Sequence, residues 1–483
     1  MWLLAAKFAH ASPAELYGFG ARAMGRAQGG VSLEGDAGSA LLNPALLAGH
    51  DKSQVLIGYA LVRFDFDEIP PLYWDTNRDG LIDEYDEPLS MGDYDKGDGF
   101  MLGLRRPIGE RFGIGAALFV PQARLLRIQT VDPQLPNYIM YRNRTQRYAL
   151  ALGFAAEPVR SLQVGGGVRL LSRSVLDVTF TIDSVVHGDQ PADAGVEDVT
   201  ELEARVHDLS FDLKPAAVPV FGLRWDAGEL VEPLDGLALG FVWRNEGGIP
   251  IDVNLDAQLN ASAEDVGELE PVSVAALGKV YINIFDHYMP MQFQFGGSYS
   301  VDDILHFYLD VHHTRWGAMQ LNSTQLLDAE LQATMADLGD LTIENGHDVS
   351  GIEWRNTWSI RTGTELFLPR FPLPGDLGWK AAHVRGGFGY EPSPLVAQTA
   401  ETSLLDADRL LFGLGIGVSH GAINNTVEGP VSWDLFFQYH TLARGTLKRP
   451  ATDEHRAGYP VNGAPIPIGG RFFTTGLQCS FDY

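Results

Sequence analysis

Asp75-Thr-Asn77-Arg-Asp79-Gly80-Leu81-Ile-Asp83-Glu-Tyr-Asp86 sets oxygen-bearing side chains at positions one, three, five, nine and twelve of one short run. That is the ligand spacing of a calcium loop of the EF-hand type. A hard cation collects oxygens, position seven offers the backbone carbonyl of Leu81, and Gly80 permits the sharp turn between them. Asp75, Asn77, Asp79, Leu81, Asp83 and Asp86 are therefore the candidate metal ligands. The expected cofactor is one structural Ca2+ that orders a loop and does no chemistry, with an unbound acidic turn as the alternative.

Other chemistry-bearing residues fall in strand-like runs. Arg169 and Arg173 share a face opposite Val168 and Leu170, and Arg355 and Arg361 share one further on. Pointing inward, such arginines could meet the carboxylate of an acidic substrate, or simply belong to a structural polar network. His306, Tyr308, Asp310 and His312 also share a face and read as polar lining. No H-E-x-x-H helix or P-loop occurs, and spacing pairs no nucleophile with a base, so the chain is not read as an enzyme.

The elements that must hold these residues are strands of period two. Leu410, Phe412, Leu414, Ile416 and Val418 alternate with Gly413, Gly415, Gly417 and Ser419, and the pattern recurs around Met291–Tyr299, Val431–Tyr439 and Tyr148–Phe154. One face suits lipid and the other a lumen. The last residues put Leu477, Cys479, Phe481 and Tyr483 on one face of a terminal strand, as a closing barrel strand requires. Strands are expected at 53–66, 97–107, 111–121, 144–156, 161–183, 206–226, 236–253, 289–300, 304–316, 352–366, 381–391, 408–420, 431–446 and 470–483, about fourteen in all. Short links such as 107–110, 157–160 and 301–303 alternate with long ones at 67–96, 184–205, 254–288, 317–351, 392–407 and 447–469, the rhythm of periplasmic turns and extracellular loops.

No window holds eighteen consecutive apolar residues, so spanning helices are not expected. The fold class is all-β: a transmembrane antiparallel β-barrel over 51–483 in the bacterial outer membrane. The net charge of −27 argues against nucleic acid as a partner. Residues 1–12 read as a signal-peptide remnant, with Ala9-His10-Ala11 as a small-residue cleavage site. Residues 13–50 are rich in Gly and Ala and too few to fold alone, so they must pack on something larger, such as the lumen as a plug. The lone Cys479 can form no intrachain disulfide.

Gly18-Phe-Gly-Ala-Arg22-Ala-Met-Gly25-Arg26-Ala27-Gln-Gly-Gly30, then Gly35-Asp36-Ala37-Gly38-Ser39-Ala40 and Asn43-Pro44-Ala45-Leu46, resembles the hatch of the FadL family of outer-membrane transporters. Arg385-Gly-Gly-Phe-Gly-Tyr390-Glu-Pro-Ser393-Pro394 and Asp406-Ala-Asp408-Arg409 match a second family block, in order. The resemblance implies a fourteen-stranded barrel plugged by a hatch in which Gly25, Arg26, Asp36, Asn43, Pro44 and Ala45 are motif positions. It implies passive transport of long-chain fatty acids or other hydrophobic compounds. Extracellular loops would capture the molecule, the lumen would hold it, and hatch rearrangement would release it sideways at a distorted third strand.

In that strand, Gly113, Gly115 and Pro121 are the candidates for the lateral opening, because proline cannot donate to the ladder. The apolar run 272–285 could form an outer greasy groove or pack against another loop. Expected partners are the hydrophobic substrate, outer-membrane lipid or lipopolysaccharide and the barrel-assembly machinery, with a monomer as the working form. The metal run, closing on Asp86 rather than Glu and present once, looks like a single dockerin-type repeat. Two other readings stay open: a water-filled porin for small polar solutes, and a calcium-dependent surface adhesin.

Overall fold

The computed structural model describes residues 18–33, 35–74, 87–89, 97–122, 136–138, 141, 148–187, 201–229, 231–264, 272–302, 304–319, 324–333, 353–369, 379–396, 404–421, 430–447, 459–460 and 465–483. The calcium run 75–86 and the signal remnant 1–12 lie outside the described residues, as does the side chain of Arg173.

Alternation of large apolar with small or polar residues bends the chain into one ring. Its strands are β1 (Gln54–Phe66), β2 (Gly97–Ile108), β3 (Phe112–Pro121), β4 (Ala149–Val159), β5 (Leu162–His187), β6 (Glu201–Asp226) and β7 (Leu237–Arg244). They continue as β8 (Gln292–Val301), β9 (Leu305–Thr314), β10 (Thr357–Pro369), β11 (Trp379–Glu391), β12 (Arg409–His420), β13 (Val431–Leu447) and β14 (Ile466–Asp482). Each pairs antiparallel with its neighbours, and β14 returns to β1 in unbroken register from Gln54↔Asp482 to Phe66↔Gly470. Within the ring of these fourteen strands no edge is left open, which is what allows a sheet to sit in hydrocarbon.

The two faces differ as the sequence pattern requires. Phe412, Leu414 and Ile416 of β12 are exposed while Leu411 and Ser419 are buried, and Leu152, Phe154, Phe295, Trp433, Leu435, Phe437 and Leu477 continue the outward apolar band. Inward positions carry Gln, Arg, Asp, Glu, Ser or Gly, among them Gln294, Asp310, Glu365, Gln438 and Gln478. A polar lumen inside an apolar wall is the signature of a membrane barrel.

Two expectations are corrected. The strand expected over 236–253 stops at Arg244, and a new strand, Gly247–Glu264, runs parallel to the far half of β5. The span 254–288, read as a loop, is mostly the rest of this strand and a second one, Val272–Met289, which pairs with it and with Thr324–Ala333. The β-branched and aromatic run Val272-Ser-Val to Val280-Tyr-Ile suits a pleated ladder better than a loop. The register shifts between Ile249 and Pro250, where the missing proline donor interrupts pairing.

β5 and β6 run 26 residues each, far beyond the roughly 9–11 that cross a bilayer, so their outer halves and these three strands form a sheet above the ring. A separate small sheet pairs Leu72–Trp74 with Glu87–Leu89 and Tyr459–Pro460, tying the first long connection to the last.

Residues 18–50 lie inside the ring. The helices α1 (Ala21–Gly25) and α2 (Ser39–Leu42) and the turn of 3-10 helix Pro44–Leu47 are too short to be stable alone, so packing must hold them. Phe19, Met24, Ala37, Leu41 and Leu47 form one core with Leu56, Met101, Phe119 and Phe436 of the wall.

Candidate functional site

The site is built around this inner segment. Asn43 accepts from the Ala45 N–H at 3.1 Å, capping the 3-10 turn, while its amide donates to Val31 O at 2.8 Å and to Leu223 O in β6 at 3.3 Å. Pro44, Ala45 and Leu47 then press onto bare wall backbone. A Cβ at Gly165 would run into Ala45 and one at Gly222 into the Asn43 amide, so both wall positions need glycine for close approach. Gly25 meets Gly415 of β12 in the same manner. The Asn-Pro-Ala triplet is thus an anchor, and Asp36 accepts from the Gly38 N–H at 2.8 Å within the segment.

Charge secures the opposite side. Glu365 of β10 is fully buried and receives Arg26 at 2.8 Å, Arg22 at 3.1 Å and Arg385 of β11 at 2.7 Å. Arg385 also pairs with Asp434 of β13. Burial pulls the Arg26 pKa down against the attraction of Glu365. The Ala21 N–H donates to Gln478 at 2.6 Å, Gln438 donates to Met24 O at 2.7 Å, and Tyr308 donates to Arg26 O. Asp310 accepts from the Gly30 and Val31 N–H groups. Arg105, Arg224 and Arg244 donate to carbonyls of Gly35, Ser32 and Leu42. The hatch is held from nearly every side of the ring.

Arg361 faces inward as expected, pairing with Glu391 and donating to Gln28 O at 3.1 Å. Arg169 faces inward, with Met289 Sδ at 3.4 Å. Arg355 does not join them. It precedes β10, is exposed, and donates to Ser393 O at 3.0 Å, because the strand begins only at Thr357. Glu365 was missed by sequence reading, and Arg22, Arg385 and Glu391 stood in the matched motif blocks without being singled out as site residues. Glu365 shares its face with Arg361, so alternation could have found it.

The second motif is a polar knot. Ser393 Oγ donates to Asp406 at 2.7 Å, its N–H donates to Asp408 at 2.9 Å, and Tyr390 OH donates to Asp408 at 2.7 Å. The Arg355 N–H donates to Pro394 O, and Arg409 pairs with Glu391 while lying 5.5 Å over the Phe472 ring. Burial pushes the Asp406 carboxyl up to about 6, against hydrogen bonds from Ser393, Ala407 N–H and Tyr141.

The third strand carries no register shift. β3 pairs with β2 from Phe112 to Pro121 and with β4 from Phe112 to Phe119. Gly113 and Gly115 face Leu47 of the hatch, and Pro121 lies two residues past the last β4 pair.

Two cavities flank the hatch. One of about 100 Å³ lies toward the long loops, between Phe19, Arg26, Leu41 and Asn43 of the hatch and Arg169, Arg244, Gln294, His312 and Arg361 of the wall. His312 is buried with its Nε2 unpartnered. The other, about 630 Å³, opens at the short-turn end among Arg224, Asp226, Glu229, Asp235, Ser300 and His306. Above the first cavity, Tyr138, Tyr141, Trp316, Leu405 and Phe472, with Phe64 and Phe66 packed against them, form a hydrophobic cluster rich in aromatic rings. Tyr138 stacks on Phe66 at 4.3 Å and its OH donates to Gly469 O at 2.9 Å.

Gly417-Val-Ser419-His-Gly421 has nucleophile-elbow spacing, but Ser419 is inside β12, not at a strand-to-helix turn. Its Oγ lies 3.3 Å from His383 Nε2, whose Nδ1 has no partner to orient it. Among the described residues no group of His, Cys, Asp and Glu could hold a metal ion.

Comparison with known proteins follows the geometry. The family model of outer membrane protein transport proteins (OMPP1/FadL/TodX) matches residues 2–427. A crystal structure of a Pseudomonas aeruginosa FadL homologue is similar at a TM-score of 0.53 and 16% identity, covering 98% of this chain and 99% of that one. The P. putida toluene transporter TodX aligns at 15% identity and a TM-score of 0.47, covering 97% and 99%. The Ralstonia pickettii toluene transporter TbuX aligns at 14% identity and 0.45, again covering 97% and 99%. No curated protein matches.

Proposed function

The chain belongs to the outer-membrane protein transport family OMPP1/FadL/TodX, and from that premise we propose that it carries acidic amphiphiles of the long-chain fatty-acid type across the outer membrane, passively. Membership places the barrel in the outer membrane and makes it a channel for hydrophobic compounds; the long loops are proposed to lie outside and the short turns at the periplasm. The substrate reading rests on one observation. From outside inward the lumen is first aromatic, from Phe64 to Phe472, and then cationic, with Arg26, Arg169, Arg244 and Arg361 beside the unpartnered His312. Apolar tail and carboxylate head fit that order, whereas an uncharged hydrocarbon has no use for the arginines. Mass spectrometry of ligand extracted from purified protein tests it. Recovered fatty acids support the reading, and an aromatic hydrocarbon in their place refutes it.

Release is proposed to be lateral, between β3 and β4, next to Pro121, which lies two residues past Phe119↔Ala149, the last pair among the described residues, and has no N–H to donate to a ladder. Because the ladder below is intact, exit requires local unpairing together with withdrawal of Leu47 from Gly113 and Gly115. A disulfide joining Phe119→Cys to Ala149→Cys, in a Cys479→Ser background, is expected to stop uptake when oxidised and restore it when reduced. Uptake indifferent to the lock puts the exit elsewhere.

We also propose that Asp75, Asn77, Asp79, Leu81, Asp83 and Asp86 hold a structural Ca2+. The flanks support it: Trp74 and Glu87 pair directly, bringing the two ends of the run together, as one ion bound by positions one and twelve requires. Calcium is expected to protect the 67–96 loop from protease, and Asp75→Ala with Asp79→Ala to abolish that protection. Equal cleavage of the parent with and without calcium rejects the site. The barrel is further proposed to reach the membrane through the barrel-assembly machinery, to meet lipopolysaccharide at its outer rim, and to work as a monomer.

A further inference from the structure

A short row of neutral polar side chains crosses the lumen wall just outside the arginines. Gln294 of β8 stands opposite His312 of β9, and His312 opposite Ser359 of β10, so the three are cross-strand neighbours on the inward face. His312 is 3% exposed and Ser359 2%. Among the described residues, neither His312 Nε2 nor Ser359 Oγ has a hydrogen-bond partner. A buried polar atom left unbonded is costly, and it stays so until a ligand group or a trapped water reaches it.

The height of this row in the lumen is fixed by its neighbours. The next inward-facing pair toward the short turns is Asp310↔Arg361, and the next toward the long loops is Thr314↔Thr357, beyond which Trp316 belongs to the aromatic-rich cluster. Gln294 and His312 line the upper cavity together with Arg361, so row and arginines border one space. With a carboxylate at the arginines and an apolar tail among the rings, the row lies beside the first carbons of the chain. A carboxylate only accepts, and it is better served by guanidinium. A hydroxyl both donates and accepts: it takes the Ser359 O–H and satisfies His312 Nε2 whichever ring nitrogen carries the proton.

We propose that His312 and Ser359 form a hydroxyl subsite, and that the preferred substrates are long-chain acids hydroxylated close to the carboxylate, of the 3-hydroxy class. The inference deepens the fatty-acid reading and rests on it. An unsubstituted acid leaves both buried atoms unbonded, whereas one hydroxyl relieves the two together. A site that holds buried polar groups for a substrate hydroxyl discriminates strongly against the analogue lacking it, because those groups then stay unpaired.

The experiment is calorimetric titration of the purified full-length protein in detergent micelles with palmitate, 3-hydroxypalmitate and 16-hydroxypalmitate, empty micelles being subtracted. 3-Hydroxypalmitate is expected to bind about tenfold tighter than palmitate, the gain of roughly one net hydrogen bond. 16-Hydroxypalmitate, whose hydroxyl ends among the aromatic rings, is expected to gain nothing. Ser359→Ala and His312→Phe are each expected to bring the ratio of the 3-hydroxypalmitate and palmitate affinities close to one, and either variant suffices if the other fails to fold by heat-modified gel mobility. Equal parent affinities for those two acids overturn the subsite and leave its atoms to trapped water. An equal gain for 16-hydroxypalmitate overturns it too, as does a ratio that survives both substitutions. Palmitate binding without a hydroxyl preference leaves the fatty-acid reading standing. If none of the three acids binds, that reading fails and the subsite falls with it.

Discussion

Glu365 carries more of the inner architecture than any motif residue. A carboxylate at 0% exposure among Arg22, Arg26 and Arg385 is tolerable only because those charges compensate it. Glu365→Gln leaves Arg26 and Arg385 buried with less than their counter-charge, and is expected to cost about 3–5 kcal/mol, the usual price of breaking a buried pair. The urea midpoint of the barrel in lipid vesicles reads it, and a midpoint equal to the parent's contradicts the role. Gly165 offers the apolar counterpart. Gly165→Val drives a side chain into Ala45, so the hatch is expected to be expelled while the ring still forms, giving raised conductance with normal heat-modified mobility. Unchanged conductance means the hatch is seated some other way. Of these residues, the Asn-Pro-Ala triplet was legible because it is local. The inward face of Glu365 follows from its alternation with Arg361, but its pairing does not, because its partners come from the hatch and β11 and only the closed ring brings them together.

At the level of elements, the knot between β11 and β12 should respond to pH. The Asp406 carboxyl, raised to about 6 by burial, holds its proton more tightly folded than unfolded, where an aspartate ionises near 3.8. Its protonated form therefore stabilises the knot. That contribution is complete below about pH 3.8 and is lost as pH rises through about 6. Protection factors from hydrogen exchange at residues 391–396, with the intrinsic pH dependence of exchange divided out, are expected to fall between pH 4 and 7, and Asp406→Asn to flatten the change. Parent protection factors already flat over that range refute the linkage. Strand alternation made all fourteen ring strands readable, because a period of two is local and each face has one environment. It misjudged the chain after Arg244, where a loop folds back parallel on β5: parallel pairing joins distant segments, and no pattern within 247–264 announces its partner.

Across the whole molecule, charge is sorted. The chain carries −27, yet among the described residues buried Arg26, Arg105, Arg169, Arg244, Arg361, Arg385 and Arg409 outnumber buried Asp310, Glu365, Glu391 and Asp434. The described part of the lumen thus carries an excess of buried positive charge, the sign of field that would draw the anionic head group of the proposed substrate inward. Composition alone gave the sign of the total and hid that of the interior, which depends on which residues the ring encloses. Removal of residues 13–45 is expected to turn this enclosed lumen into a leaky pore, read as conductance. The most direct measurement of the account is uptake of a radiolabelled long-chain fatty acid, with toluene in parallel, by cells that lack their own transporter and express this chain. Faster fatty-acid uptake than in vector controls, lost in the oxidised Phe119→Cys/Ala149→Cys protein, is the predicted result; uptake of both compounds at the control rate contradicts it.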